Sequence, residues 1–236
     1  MSSPEPLYLT LGCLGAFLCG SIPFGLVLVQ LAGKGDVREH GSGNIGATNV
    51  SRVGGKGLGI VTLLLDIAKG FLPVYLAKSQ GWDPASTAGV ALAATTGHVF
   101  TPWLKFQGGK GVATALGAAL AFHWLMVMPS IGLFILLVAL TRYVSLGSIL
   151  GSALMPLMLA LLPEPQRTLE MKSGAFALKL DFGSLLTWPT HEPAVLILWS
   201  LLAGLVVVKH HENIRRLLAG TENPLWGAKR GEASHG

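Results

Sequence analysis

Long apolar segments alternate with short polar connections along almost the whole chain. Segments that are nearly free of charged side chains lie at residues 7–32, 57–77, 86–100, 111–125, 126–141, 146–162 and 193–208. About 20 helical residues cross the hydrocarbon core of a bilayer. The pattern therefore predicts an all-α integral membrane protein with about seven transmembrane helices, some of them short.

Several segments are short or contain Gly and Pro, notably the pair between Gly111 and Thr141. Five or six complete spans with re-entrant segments are therefore the alternative. Neither reading leaves room for a soluble domain, so we expect residues 1–236 to form a single membrane-embedded domain. A proline-rich segment at about 163–193 is predicted to be an outer loop, and residues from about 209 to 236 an amphipathic tail.

Composition agrees with the hydropathy pattern. Hydrophobic residues make up 51% of the chain and charged residues 12%, against roughly 25% charged in soluble domains, and the mean hydropathy is +0.57. Lys34 is the first basic residue, so the first apolar segment lacks the basic region of a secretory signal and is expected to remain as a span.

The Lys and Arg residues are concentrated on one side of the predicted bundle. Twelve of the 17 lie at 33–56, at 98–110, at Arg142 and in the tail, whereas the opposite connections carry four. Basic connections stay in the cytoplasm. This count predicts that the N-terminus is outside and that the C-terminus and the polar loops are cytoplasmic.

Two of these cytoplasmic connections are rich in glycine. Residues 40–57 read HGSGNIGATNVSRVGGKG, and the sequence GGKG recurs at 108–111, where it again precedes an apolar helix. Backbone N–H groups at a helix N-terminus, together with the helix dipole, bind anions. Arg52, Lys56 and Lys110 add positive charge suited to phosphate oxygens. The two loops are therefore predicted to bind phosphate groups.

Three other readings of the glycines have less support in the sequence. No strand precedes GSGNIG at 41–46, which argues against a dinucleotide-binding fold, and no GK pair is followed by Ser or Thr, which excludes a Walker A loop. The glycines alone are equally explained by tight turns and close helix packing. A transporter of a small phosphorylated or anionic solute is the main alternative function, because paired breaks in helices also build transport sites.

Four segments together resemble the signature motifs of one enzyme family. GSGNIGATN, GHVFTPWLKFQGGKGVAT, YVSLGS and KHHENIRRLL occur in this order from the first span to the tail. They are similar to the motifs of the bacterial acyl-phosphate-dependent glycerol-3-phosphate acyltransferases, although Ile45 occupies a proline position of the first motif. The resemblance implies a seven-helix inner-membrane enzyme that transfers a fatty acyl group from acyl phosphate to the 1-hydroxyl of sn-glycerol 3-phosphate, the first step of bacterial phospholipid synthesis.

The resemblance also implies roles for individual residues. The donor phosphate site is expected to contain Asn44, Gly46, Thr48, Gly108 and Gly109. The glycerol-phosphate site is expected to contain Ser42, Arg52, Lys110, Ser145, His210 and Asn213, with Lys56 adding charge. Neither a cofactor nor a metal is expected, nor a nucleic-acid partner, whereas membrane lipid and the enzyme that supplies acyl phosphate are expected contacts.

The sequence leaves the proton acceptor open but favours one acyl donor. Either His210 or a substrate phosphate accepts the proton of the attacking hydroxyl, and the phosphate is the reading that the resemblance favours. Acyltransferases that use a thioester for this acceptor carry H-x-x-x-x-D, and no His of this chain is followed by Asp at that spacing. Acyl phosphate is therefore the expected donor.

The second apolar span contains Asp66 and Lys69, three residues apart. Unpaired charges inside a membrane cost several kcal/mol, so we expect these two to form an ion pair that fixes helix packing. His98 begins the second motif, where a structural hydrogen bond that positions the loop is the simplest expectation.

Overall fold

The computed structural model describes residues 2–161 and 192–225. Within these ranges the chain is helical, with one isolated bridge between Ser2 and Trp82 and no β-strand. The helices are α1 Pro6–Ser21, α2 Phe24–Leu31, α3 Ala47–Gly54, α4 Lys56–Ser79, α5 Pro84–Val99, α6 Val112–Thr141, α7 Val144–Leu161, α8 Pro193–Val208 and α9 His211–Leu218. Short 3-10 helices occupy Val37–Glu39 and Pro102–Leu104. The all-α prediction is confirmed.

The expected outer loop lies almost wholly outside the described residues, as does the end of the tail. The prediction that 1–236 form a single domain therefore stays a prediction.

Large apolar side chains on the outside of the bundle mark it as a membrane protein. Leu11, Leu64, Leu136 and Leu201 are each at least half exposed, as expected where lipid replaces water as the solvent. Among the described residues, four helical segments are long and apolar enough to cross a membrane, and α8 with α9, bent by 57°, makes a fifth. Helices α5 and α8 have 16 residues each, so the count of seven remains a prediction.

Helix α6 contains the two segments that were expected between Gly111 and Thr141. Its 30 residues are interrupted at His123, whose φ of −159° and ψ of 89° are not helical. The part before the break runs parallel to α4, since Thr114 meets Gly70 and the carbonyl of Phe122 accepts from Lys78 Nζ at 2.8 Å. The part after the break runs antiparallel to α7, with Ser130 against Gly151 and Val138 against Gly147. The break thus separates two halves with different packing partners.

Small residues allow the central helices to approach each other closely. A Cβ on Gly70 would lie 2.0 Å from the Thr114 carbonyl oxygen, and a Cβ on Gly117 would lie 1.9 Å from that of Ile67. Backbones at such distances tolerate only glycine, as is common at helix contacts in membranes. This contact fixes the start of α6 beside α4, which positions Lys110.

A second, smaller core holds the first glycine-rich loop. It contains Leu26 and Val29 of α2, Val37, Val50 of α3, and Ile45. Ile45 is 3% exposed, so the residue that departs from the family pattern packs the loop onto α2.

The predicted ion pair within α4 is confirmed. Lys69 Nζ lies 2.8 Å from Asp66 Oδ1, and both side chains are 2% exposed. Lys69 also donates to the carbonyl of Ile22 at 2.8 Å, where the chain breaks between α1 and α2. The pair therefore ties α4 to the first apolar segment, in agreement with a role in helix packing.

Candidate active site

One cavity of about 550 Å³ has a cluster of polar groups at one end and a mostly apolar wall elsewhere, which also includes Asp66 and His98. Nine of the twelve predicted site residues line it: Ser42, Asn44, Gly46, Thr48, Arg52, Lys110, Ser145, His210 and Asn213. Residues far apart in the sequence meet here because the ends of α3, α6, α7 and α8 converge.

The first glycine-rich loop is organised by Asn49. This side chain is 2% exposed; its Oδ1 accepts from Ser42 N at 2.8 Å, and its Nδ2 lies within 3.0 Å of the carbonyl oxygens of Val37, His40 and Asn44. Asn44 Oδ1 accepts from Gly46 N at 2.8 Å, which forms a turn before α3. Sequence reasoning missed Asn49, although it belongs to the first motif.

Gly108 and Gly109 are not placed as the sequence predicted. Gly108 N donates to the carbonyl of Val99 at 3.0 Å, and Gly109 N donates to that of His98 at 3.1 Å. Their N–H groups are thus used by the last turn of α5, and neither residue lines the cavity. The structure instead brings Gly111, Val112 and Ala113 to its wall, where the first turn of α6 leaves N–H groups without intrahelical acceptors.

Lys56 also lies outside the cavity. It is exposed at the start of α4, although Arg52, one turn earlier in the sequence, lines the cavity. Gly55 between them has a φ of 96° and ends α3, so the chain changes direction and Lys56 is not carried to the site.

Lys110 is held at the polar end by Asn213. Its Nζ donates to Asn213 Oδ1. Burial lowers the pKa of Lys110 to about 8. The negative charge of Glu222 opposes this shift, whereas the positive charges of Arg216 and Arg52 add to it. The ammonium is therefore still the main form at neutral pH. A partly desolvated cation of this kind attracts phosphate more strongly than one in water.

Glu222 links the other polar groups of this end. Its Oε1 accepts from Ser145 Oγ at 2.8 Å and from Asn213 Nδ2 at 2.7 Å, and its Oε2 accepts from Arg216 Nε at 2.7 Å. Burial alone would raise the pKa of this carboxyl, but these hydrogen bonds outweigh it and hold the pKa below its ordinary value. Glu222 is therefore ionised at neutral pH. Sequence reasoning missed it, because a single Glu after α9 follows no periodic pattern.

We expect Glu222→Gln to lower kcat/KM about tenfold, the effect of losing one charge-assisted hydrogen bond. An amide accepts at only one of the two oxygen positions, so either Arg216 or the pair of Ser145 and Asn213 loses its acceptor. Steady-state kinetics of the purified variant measure the effect. Glu212→Gln is the matched control, since Glu212 lies 3.9 Å from the same Arg216 but is 68% exposed. Equal rates for both variants would remove Glu222 from the site.

His210 is buried between α8 and α9. Its Nδ1 lies 2.7 Å from the carbonyl oxygen of Val206, and since a carbonyl only accepts, Nδ1 carries the proton and Nε2 is the acceptor. Burial lowers the pKa of His210 to about 4. The imidazole is therefore neutral at pH 7 and a weak base.

The rest of the cavity extends between α4, α6, α7 and α8. Its wall includes Leu63, Leu116, Ile131, Phe134, Met155 and Trp199. From Ser145 to Met155 the cavity follows α7 for about 15 Å. This part fits an extended hydrocarbon chain. Among the described residues, no group of three or more His, Cys, Asp or Glu is placed to hold a metal ion.

A membrane-embedded helical bundle in which cationic and hydrogen-bonding groups adjoin an apolar cavity is typical of one class of protein, membrane proteins that bind amphiphilic, anionic molecules. Comparison with known proteins identifies the family within that class. A family model described as glycerol-3-phosphate acyltransferase matches residues 10–220. The chain belongs to this family.

Individual relatives agree with the family match. A glycerol-3-phosphate acyltransferase of Trichlorobacter lovleyi is 48% identical, over 89% of this chain and 93% of that protein. One of Brucella anthropi is 39% identical, over 95% of this chain and 98% of that protein. A crystal structure of PlsY (YgiH), described as an integral membrane glycerol 3-phosphate acyltransferase in its glycerol 3-phosphate form, matches with a TM-score of 0.76 and 34% identity, covering 93% of this chain and 96% of that one. Its lysophosphatidic acid form matches with a TM-score of 0.73.

Proposed function

We propose that this protein transfers a fatty acyl group from acyl phosphate to the 1-hydroxyl of sn-glycerol 3-phosphate, giving lysophosphatidic acid and inorganic phosphate. The observation that carries the proposal is the single cavity that combines Lys110, Arg52 and the first turn of α6 with an apolar part about 15 Å long. Such a cavity suits two phosphate groups and one acyl chain. Family membership supports the acceptor and the class of reaction, and favours this function over a transporter.

The acceptor phosphate is assigned to Arg52 and Lys110. Ser42, Ser145, His210 and Asn213 surround the same polar end and are assigned to the glycerol hydroxyls and the remaining phosphate oxygens. His210 Nε2 accepts from a substrate hydroxyl, and the bond from Lys110 to Asn213 fixes the position of the ammonium.

The donor phosphate is assigned to the N-terminus of α3 and the start of α6. Asn44, Gly46 and Thr48 line the cavity at α3, and Gly111 and Val112 line it at α6. Both helix starts present free N–H groups and positive dipole ends. We assign Gly108 and Gly109 to the support of this loop, because their N–H groups are occupied.

The reaction needs no covalent enzyme intermediate, since acyl phosphate is already an activated anhydride. The 1-hydroxyl oxygen attacks the acyl carbonyl, and the bond from the carbonyl carbon to the phosphate oxygen breaks. Phosphate leaves with the electron pair. We assign the hydroxyl proton to a substrate phosphate, because phosphate has a pKa near 6, whereas that of His210 is about 4.

The donor is tested with detergent-purified protein and radiolabelled glycerol 3-phosphate. We expect product from palmitoyl phosphate and none from palmitoyl-CoA or palmitoyl acyl carrier protein, because a thioester has no phosphate at the reacting carbonyl. Rates should be the same with and without a chelator, since Arg52 and Lys110 supply the positive charge. Equal rates from palmitoyl-CoA would contradict the proposed donor, and loss of activity in chelator would contradict the metal-free reaction.

We further propose that the protein lies in the bacterial cytoplasmic membrane with its N-terminus outside and its site facing the cytoplasm. The distribution of Lys and Arg supports this orientation. In a background without Cys13 and Cys19, a membrane-impermeant thiol reagent applied from outside should label Ser173→Cys and spare Asp36→Cys and Ser234→Cys. Labelling of position 36 from outside would reverse the orientation. Contact with the enzyme that supplies acyl phosphate stays a prediction.

A further inference from the structure

We propose that His98, supported by Asp66 and Lys69, is a positioning residue that sets the place of Lys110 in the cavity. This inference rests on the proposed function. It assigns a task to three buried polar residues that have no part in the reaction as proposed, although Asp66 and His98 line the cavity.

The first step is the contact between His98 and the loop before α6. The main chain of Gly109 donates to the carbonyl of His98 at 3.1 Å. The imidazole lies against the same glycine, because a Cβ on Gly109 would be 2.0 Å from His98 Nε2 and 2.8 Å from Cε1. Gly109 is therefore held by both the backbone and the ring of His98.

The second step is the support of the ring itself. His98 is 4% exposed, and its Nδ1 lies 3.8 Å from Asp66 Oδ1, in contact but beyond hydrogen-bond distance. Asp66 is fixed in turn by Lys69 at 2.8 Å, and Lys69 donates to the carbonyl of Ile22 at 2.8 Å. The imidazole thus packs against an ion pair that belongs to α4 and is tied to the first apolar segment.

The third step is the consequence for the site. Lys110 follows Gly109 directly, and its Nζ donates to Asn213 across the cavity. A shift of about 1 Å in a substrate-binding group costs up to about 100-fold in rate. Loss of the His98 ring leaves a gap under Gly109 into which the loop can move, so that Lys110 is displaced from the phosphate site and becomes more exposed to water.

The experiment compares His98→Ala with the wild-type protein in the palmitoyl phosphate assay, over a range of pH. We expect kcat/KM to fall about 10- to 100-fold. We also expect the alkaline limb of the kcat/KM profile to move to higher pH, since an exposed ammonium loses the burial that lowers its pKa. Groups that face Lys110, namely Glu222, Glu212, Arg216, Arg52 and His210, are unchanged in this variant.

Two further variants make the result decisive. Thr87→Ala removes a buried polar group at the other end of α5, where Thr87 Oγ1 donates to Asp83 O at 2.9 Å, and should keep the wild-type rate and alkaline limb. His98→Gln retains much of the side-chain volume and replaces His98→Ala in the experiment if that variant does not fold. It should show a smaller fall in kcat/KM and a smaller shift of the alkaline limb to higher pH.

A loss of activity with the alkaline limb at its wild-type pH would reduce His98 to a structural role and overturn the proposal, as would an unchanged kcat/KM. Absence of turnover by the wild-type protein in the same assay would instead contradict the proposed function.

Discussion

Replacing Lys110 with Met should lower kcat/KM for acyl transfer about 100- to 1,000-fold, the usual effect of removing one preorganised electrostatic group from a site. The ammonium lies at the polar end of the cavity, held by Asn213, where we assign it to the acceptor phosphate. Met has a similar length and no charge, so the packing around the stem is kept. Steady-state kinetics on purified protein measure the loss, and thermal unfolding checks that the fold is intact.

Lys105→Met is the matched control, because Lys105 lies in the same connection but is exposed. It should retain wild-type activity. A folded Lys110→Met protein with normal turnover would remove Lys110 from the site.

The wild-type pH profile gives an independent check on Lys110. Because burial lowers its pKa to about 8, the cation is present below that pH and is lost as the pH rises through it, so kcat/KM should decline above pH 8.

Replacing Lys69 with Met should lower the free energy of unfolding by about 3–5 kcal/mol, the range for breaking one side of a buried ion pair. The substitution leaves the Asp66 carboxylate buried without its partner and also removes the bond to the Ile22 carbonyl. Thermal unfolding in detergent, followed by loss of secondary structure, measures the change.

The double variant Asp66→Leu with Lys69→Met provides the comparison. Replacing both members of a buried pair with apolar residues is often neutral, so the double variant should be more stable than Lys69→Met alone. If Lys69→Met is as stable as the wild type, the pair does not fix the helices.

The sequence predicted the fold class and most of the candidate site for clear physical reasons. Apolar length identifies membrane helices without any knowledge of their packing. Residues such as Arg52 and Asn213 were found because they lie in motifs that resemble those of a known family. The ion pair of Asp66 and Lys69 was predicted because two opposite charges inside a membrane have few other ways to be stabilised.

Other features depend on contacts that no local pattern encodes. Gly108 and Gly109 precede a helix as phosphate-binding glycines do, yet their N–H groups meet the carbonyls of Val99 and His98 at the end of α5. Only the tertiary structure places that end beside the loop. Glu222 was missed for the same reason: its partners Ser145 and Asn213 lie 77 and 9 residues away.

The distribution of the cavity residues along the chain has a consequence for biosynthesis. The polar end is assembled from residues as early as Ser42 and as late as Glu222. A ribosome-bound chain that has already inserted α1 to α7 therefore still lacks His210, Asn213 and Glu222, and Lys110 has no partner for its ammonium. The nascent protein passes through most of its membrane insertion with an unfinished site, and the polar end is complete only after translation has passed Glu222.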